Sequence, residues 1–410
     1  MKRVTEVVMK GKPGMQEGLD SRIMAIQMLI PLGLHAVNEE LQAEVERLVG
    51  PLYSRTGGAN RRWGSNPGSV CLGDQKVSVE VPRVRDTVAG REITLESYAG
   101  LQEPQVLNET VLVRVLNGLS QRKYEKVATM IPETFGIKHS SVSRRFIKAT
   151  KSKLKDVLER DLRGEQIIAI FIDGKRFAEN GVIIALGVRL DGSKLVLGFI
   201  ESSRENHRVC GDFVKNLVER GLKVDDGILF VMDGSKGLYK GIKDAVGANA
   251  FVQRCQWHKR ENVLQYLDKK HQKYFRTKLQ KAYEAPTYEE AKKQLLAIRR
   301  ELSLLNESAV TSLDEGLEET LTLHKLGMFK KLGRSFKTTN CLESVNNQLG
   351  QYTDRACRWR NSNMRQRWVA SALLEIEPTL RKVNGYQHLK ELRDVMKSRL
   401  VKENTQVKAA

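Results

Sequence analysis

Apolar and polar positions recur along this chain with three different periods, and each change of period marks a boundary. Ile23, Ile26, Leu29 and Leu32, then Leu41, Val45 and Leu48, return at helical spacing on either side of Pro31–Gly33, which predicts two short helices. Gly, Asn and Arg dominate from Gly57 to Gly68, the composition of a flexible linker or one that orders on binding. Val77, Val79 and Val81 then alternate with Ser78 and Glu80 ahead of Pro82, which predicts a small β unit. Helical spacing returns over Val106–Leu119, Arg122–Ile131 and Ser140–Val157. The last two form a helix-turn-helix candidate, in which serine hydroxyls cap the third helix and Val142 and Phe146 face inward. Ser141, Ser143, Arg144 and Arg145 would then face a DNA groove. The plain alternative is an ordinary three-helix unit with a solvated face.

The next stretch abandons amphipathicity. Ile167–Ile172 is a continuous apolar run, rich in β-branched residues and too short for a helix; it predicts a buried strand ending at Asp173-Gly174. Gly227–Met232 repeats the pattern and leads into Asp233-Gly234. Between them, Val182–Leu190 and Lys194–Ile200 flank the turn pair Asp191-Gly192, and Asn206–Arg220 reads as a helix. Lys236–Val246 and Ala250–Arg254 follow as helix and strand. The order β-β-β-α-β-α-β is that of an α/β ribonuclease H-like core, in which strands one and four lie side by side and bring Asp173 and Asp233 together.

Helical periodicity then runs from Leu264 to Leu321, Leu296 and Leu305 included, and predicts an inserted all-α bundle. A basic segment follows, and Thr338-Thr339 opens a new helix with a threonine cap. Leu342, Val345 and Leu349 form its buried edge, so Glu343 projects from another stripe with Asn340 and Asn347 one turn to either side. Arg355, Arg358, Trp359, Arg360, Arg365, Arg367 and Trp368 read as a basic, aromatic-punctuated helical tail. The expected domains are 1–68 (N-terminal helices and linker), 69–103 (β unit), 104–160 (helix-turn-helix), 161–257 (core, first part), 258–337 (helical insertion), 338–385 (core, second part) and 386–410 (basic tail).

Charge adds a partner. Sixty-nine Lys and Arg stand against 49 Asp and Glu, with a pI near 9.7, so an anionic partner is expected and double-stranded DNA comes first. The excess is uneven: residues 251–300 hold 13 basic and 5 acidic side chains, whereas 201–250 hold 8 of each. The aspartate-bearing core is therefore not the main handle. Beyond the helix-turn-helix residues, Arg61, Arg62, Arg83, Arg85, Lys259, Arg260, Arg355, Arg358, Arg360 and Arg367 are the expected nucleic-acid contacts. Five scattered cysteines suit a reducing compartment rather than a disulfide framework. Met1–Met15 has no apolar signal core and no segment approaches the roughly 20 apolar residues of a membrane span. A soluble cytoplasmic protein, nucleoid-associated when bound to DNA, is expected.

Three acids so placed suggest chemistry. Phosphodiester cleavage needs an activated water or 3′-hydroxyl and an acceptor for charge on the leaving oxygen, and two divalent ions held by hard oxygen ligands supply both. Asp173 would bridge two Mg²⁺ ions, Asp233 would complete one site and Glu343 the other. Each carboxylate alone has a dull reading as a turn or helix-surface residue. A C-x-x-H pair, Cys255 and His258, tempts toward zinc, but no second pair stands at suitable spacing, so the two are read as locking strand five to the inserted helix. Trp257 is read as core in preference to a stacking platform for an unpaired base.

Asp173-Gly174, Asp233-Gly234-Ser235-Lys236-Gly237, Cys255-x-x-His258 and Thr339-Asn340-x-x-Glu343-Ser344-x-Asn346 together resemble the bacterial Mutator-like insertion-sequence transposases. The resemblance implies that Asp173, Asp233 and Glu343 are the acidic triad of a Mg²⁺-dependent enzyme, with Mn²⁺ expected to substitute. It further implies binding of the element's terminal inverted repeats, nicking at its ends, joining to target DNA, and a homodimer. A junction resolvase or ribonuclease of the same fold, and a helix-turn-helix regulator with structural carboxylates, are the competing readings.

Overall fold

The computed structural model describes residues 33–409 apart from 54–57, 73–74, 103–104, 119–134, 137–138, 178–179, 203–205, 355 and 357. The chain divides into two compact units, Met1–Ala149 and Thr150–Ala410.

In the first unit, helix α1 (residues 33–49) buries Val37, Leu41 and Val45 against Val70, Val84 and Leu95. The earlier of the two helices expected between Ser21 and Leu48 lies outside the described residues. The expected linker is instead largely strand. Strand β1 (Asn60–Leu72) pairs antiparallel with β2 (Gln75–Asp86), from Asn60 opposite Asp86 to Leu72 opposite Gln75. Most of β1 up to Gly68 is exposed, so the backbone ladder rather than side-chain burial holds it. That is why its composition looked like a linker. A register shift between Arg62 and Ser65 accommodates Gly64 at a φ of 83°. Strand β3 (Arg91–Ile93) pairs with β2, as does the two-residue β4 (Phe135–Gly136). Helix α2 (Glu96–Gln102) is capped from a distance: the buried Glu44 carboxylate accepts from the N–H groups of Glu96 (2.8 Å) and Ser97 (3.0 Å). Helices α3 (Gln105–Leu116) and α4 (His139–Leu158) follow, the latter carrying the chain into the second unit. The helix expected over Arg122–Ile131 lies outside the described residues. Of the helix-turn-helix only α4 is therefore described, with Val142 and Phe146 buried as the spacing requires.

The second unit is built on a five-stranded sheet of order β7-β6-β5-β8-β9, comprising β5 (Ile167–Phe177), β6 (Asn180–Arg189), β7 (Lys194–Ser202), β8 (Ile228–Met232) and β9 (Ala250–Arg254). The first three pair antiparallel; β5–β8 and β8–β9 are parallel. Strands one and four of the expected core are thus side by side. Asp173 does not end its strand: β5 runs on to Phe177 along β6, and only its parallel pairing with β8 stops, at Ile172 opposite Met232.

Both faces of the sheet are covered, which explains the unbroken apolar runs. Ile170, Ile172, Phe230 and Met232 pack under helices α5 (His207–Glu219) and α6 (Lys236–Val246). Those helices meet at Gly211 and Gly241, where a Cβ on Gly241 would fall 2.6 Å from the Gly211 nitrogen. Ala169, Phe171, Leu229 and Val231 face the other way, into a core completed by helices from the C-terminal third of the chain.

After β9 come α7 (Gln256–Leu264), α8 (Lys269–Tyr283), α9 (Tyr288–Ser303), α10 (Glu307–Asp314), α11 (Leu317–Thr320), α12 (Thr322–Lys325) and α13 (Phe329–Phe336). A separate helical core spans Val263 to Leu321, whereas Leu323, Leu326, Met328, Leu332 and Phe336 already belong to the sheet's core. Leu296 and Leu305, expected inside the bundle, are 41% and 45% exposed because a buried neighbour, Leu295 or Leu302, takes the inward stripe. Helices α14 (Asn340–Thr353), α15 (Ser362–Ile376) and α16 (Leu389–Ala409) close the unit. The expected basic tail is part of the fold, since Leu389, Leu392 and Met396 of α16 are fully buried against the sheet.

Candidate active site

Strand periodicity orients the two aspartates. Side chains two residues apart share a face of a strand, so Asp173 follows Ala169 and Phe171, and Asp233 continues the line of Leu229 and Val231. Both lie on the face where α14 packs through Leu342, Val345 and Leu349, and Glu343 stands on the first turn of that helix. Each aspartate is steadied locally: Asp173 Oδ1 accepts from the Gly174 N–H (2.9 Å) and Asp233 Oδ1 from the Ser235 N–H (3.0 Å).

His258 lies within electrostatic reach of all three acids. Its Nε2 lies 3.8 Å from Glu343 Oε1, too long for a hydrogen bond, and Thr339 Oγ1 lies 3.4 Å from its Nδ1. The Cys255 thiol beside it first, then the charges of Asp173 and Asp233, push the imidazole up to about 9. Burial would raise the Cys255 thiol, but its hydrogen bonds with His258 prevail and hold it below its ordinary value. Glu343 Oε1 and Asn346 Oδ1 are buried without a hydrogen-bond partner on adjoining positions of α14. Among the described residues no group of three or more His, Cys, Asp and Glu side chains forms a ready-made metal cluster.

Cys255 and His258 stand where β9 passes into the helical insertion. Cys255 caps α7 through its sulfur, its N–H donates to Met232 O at the end of β8 (2.7 Å), and Gln256 N–H donates to Lys337 O (2.9 Å). Trp257 departs from the core reading: it is 44% exposed, because α7 turns Gln256, Lys259, Val263 and Leu264 inward and leaves Trp257 outside, edge-on to His258 at 4.9 Å. The expected threonine cap is also different. Thr339 occupies the cap position of α14 without a capping bond, its hydroxyl turned to His258.

The expected DNA contacts separate into two groups. Lys259 is a structural residue, 1% exposed, with Nζ donating to Ser312 O (2.6 Å) and Glu315 O (2.5 Å). Burial, with Arg254 nearby, pushes its ammonium down to about 8. Arg260 is engaged by Glu261 and Gln280 in the bundle, and Arg367 is buried between Asn363 and Thr150. In the first unit, Arg145 donates to Gln102 O, Arg62 to Gly50 O, Arg83 is bidentate to Glu92, and Arg85 lies over the Trp63 ring. These contacts, invisible in a count of basic residues, engage the side chains with the protein itself. Arg61, Arg144, Arg358 and Arg360 are exposed; Ser141 and Ser143 are half-buried, and Arg355 lies outside the described residues. Residues 358–360 precede α15 rather than lying within a helix.

Sequence reading missed the supports. Arg254 donates to Gly234 O (3.2 Å) and Glu315 O (2.7 Å), which braces the loop after Asp233 against the insertion. Lys175 Nζ donates to Asn346 O and ties β5 to α14. Neither residue sits in a recognisable motif, and only the contact between distant segments exposes the role.

Residues 27–378 match the family model described as "Transposase, Mutator family". The chain is 28% identical over 328 residues to the transposase for insertion sequence element ISRM5 of Rhizobium meliloti, covering 78% of this chain and 79% of the relative. It is 26% identical to the transposase for element IS256 in transposon Tn4001 of Staphylococcus aureus (82% and 85% covered) and to that for IS406 of Burkholderia multivorans (88% and 92%). The chain belongs to the Mutator family of transposases, enzymes that cut and transfer DNA strands, and its function is DNA transposition. Among the described residues no helix is long and apolar enough to cross a membrane.

Proposed function

We propose that this transposase uses Asp173, Asp233 and Glu343 as a metal-binding triad on a ribonuclease H-like core. In this reading it binds the terminal inverted repeats of its element, as a homodimer, nicks at the ends and joins the freed strand to target DNA. The observation that carries the reading is His258, whose Nε2 lies 3.8 Å from Glu343 Oε1 and whose imidazole lies within electrostatic reach of Asp173 and Asp233. Glu343 Oε1 makes no hydrogen bond, and the His258 imidazolium 3.8 Å away offsets part of the cost of its burial. The donor set is all hard oxygen, which suits Mg²⁺ or Mn²⁺ rather than zinc.

Asp173, Asp233 and Glu343 would hold two such ions, whose chemistry is to acidify an attacking hydroxyl and stabilise charge on the leaving oxygen. The chain's own residues do the rest. The parallel register of β5 and β8 sets the spacing of the aspartates, and Arg254 holds the Gly234 loop. Lys175 and the apolar edge of α14 fix the helix that carries Glu343. In hydrolysis, water oxygen bonds to phosphorus and the 3′-oxygen leaves with a proton; in joining, that 3′-hydroxyl loses its proton as its oxygen bonds to a target phosphorus, and the target strand's 3′-oxygen is displaced and takes up a proton. Replacing Asp173 by Asn tests the triad, with end binding and nicking assayed separately in Mg²⁺. Retained binding with lost nicking is expected, and unchanged nicking would rule the triad out. Efficient cleavage of a plain RNA–DNA hybrid by the unaltered enzyme would favour the ribonuclease reading.

A further inference from the structure

Beside the first turn of α14 lies a cavity of about 240 Å³ that the triad does not use. Phe171 and Val383 lie buried in it, and Lys194, Arg334 and Lys382 bring three cations to its wall. Thr338 and Asn340 add neutral hydrogen-bonding groups, and no lining residue is a carboxylate. The neighbouring cavity at Asp233 is different in kind, since Asp233, Glu315 and Glu319 line it alongside Lys236 and Arg254. Anions are excluded there and invited here.

The cationic cavity is built rather than incidental. Lys194 Nζ donates to Arg381 O, which aims the ammonium. Ser335 and Asn384 brace one wall reciprocally, the Asn384 N–H donating to Ser335 Oγ (2.8 Å) and that hydroxyl donating back to Asn384 O (3.3 Å). Burial pulls the Lys194 ammonium below its ordinary value, a penalty that an anion in the cavity would offset. Arg334 and Lys382 are exposed at the mouth; Lys382 also meets Asp191 at 3.3 Å.

Its position relates it to the triad. Phe171 shares a strand face with Asp173, and the wall residue Cys341 lies within electrostatic reach of both Lys194 and Asp173. Lys194 pairs with Val188, and Val188 with Ala169, four residues before Asp173 on β5. Four strand residues span about 13 Å and the two strand spacings from β5 to β7 add roughly 10 Å sideways, a separation of about 16 Å, a few nucleotides of a DNA strand at roughly 3.4 Å rise each.

We propose that this cavity seats one backbone phosphate of the DNA strand, a few nucleotides from the scissile bond, with Lys194 and Arg334 as its counter-charges. The proposal rests on the strand-transfer reading of the site. A phosphate held there fixes the strand's register while the triad acts on another, a positioning role that carries no base preference.

The test uses the full-length protein in metal-free buffer and element-end duplexes carrying one neutral methylphosphonate at successive positions near the cleavage point. For the unaltered protein a single position is expected to weaken binding about tenfold, the scale of one charge-assisted contact. The same position should lower the slope of log affinity against log salt by about one. Arg334→Gln should show the same loss on unmodified DNA and become indifferent to the methylphosphonate at that position, with Lys382→Gln as a second rim variant. Arg208→Gln, an exposed residue on the helix covering the opposite sheet face, should keep the sensitivity. Equal binding of every methylphosphonate duplex by the unaltered protein, or retained sensitivity in Arg334→Gln, overturns the proposal. So does a calorimetric titration in which Arg334→Gln loses inorganic phosphate while its DNA sensitivity persists, which would mark a free-anion site. Failure of the unaltered protein to nick element ends in Mg²⁺ would instead count against the parent reading.

Discussion

The inserted helical bundle and the acidic edge of the sheet handle charge in opposite ways. In the bundle, Lys278 meets Glu301 at 2.6 Å, Arg299 meets Asp314 at 2.8 Å, and Lys292 and Lys325 both reach Glu318. Lys259 donates to two backbone carbonyls. Such pairs add little stability when exposed, yet each one removes a cation from the supply facing DNA. At the sheet edge the balance is reversed. Glu343 Oε1 and Asn346 Oδ1 are buried acceptors without donors, which native structures rarely tolerate without a functional reason. The densest basic stretch of the sequence is thus largely scaffold.

Glu343→Gln makes the sharpest challenge to that contrast. If the carboxylate serves chemistry, nicking of element ends in Mg²⁺ should fall by about 10³-fold, several kcal/mol of lost charge stabilisation, while end binding and the thermal midpoint hold. Undiminished nicking would erase the difference between the two regions.

Lys259→Ala probes the other side. Removing a buried ammonium leaves two carbonyls without their donor, and a loss of about 3 kcal/mol in denaturant unfolding is expected. The salt dependence of DNA binding should not change. A reduced salt slope at full stability would return Lys259 to the DNA surface.

The seam between bundle and sheet should respond to acid. His324 is buried, donates from Nε2 to Ala285 O (3.1 Å) and stacks on Phe329; burial pushes its imidazole down to about 4. Its folded value lies below the unfolded one, so the unfolded chain binds the extra proton. Stability from this group is complete above about pH 6.5 and declines as pH falls toward 4, by up to about 3 kcal/mol. His324→Phe should flatten the decline in urea midpoints between pH 6.5 and 4.5; an equal decline in the variant places the acid response elsewhere.

The smallest effect belongs to the exposed pair before α15. Arg358→Gln with Arg360→Gln should lower the salt slope of end binding by about two, with unchanged stability, if both touch phosphate. An unchanged slope would leave these residues as solvated surface.

Local pattern carried much of this protein. The apolar runs ending near Asp173 and Asp233, the hairpin at Asp191-Gly192, the helices flanking β8 and the buried edge Leu342, Val345, Leu349 were all legible, because burial imposes its period on a few consecutive residues. The family motifs were legible for the same reason, being short and ordered along the chain. Less local features were not. Strand β1 is held by its ladder to β2, so its side chains say little about it, and α16 looked like a basic tail although Leu389, Leu392 and Met396 are core.

By itself, then, the sequence determined most strands and helices of the second unit, the order in which three acids occur, and the family to which the chain belongs. Only the tertiary structure decided that Lys259, Arg367 and Trp257 exchange the environments their chemistry suggests, that His258 stands among the acids, and that Glu343 Oε1 lacks a donor. The physical reason is that periodicity records whether a residue faces a core, whereas hydrogen bonding and charge pairing depend on atoms contributed by segments a hundred residues away.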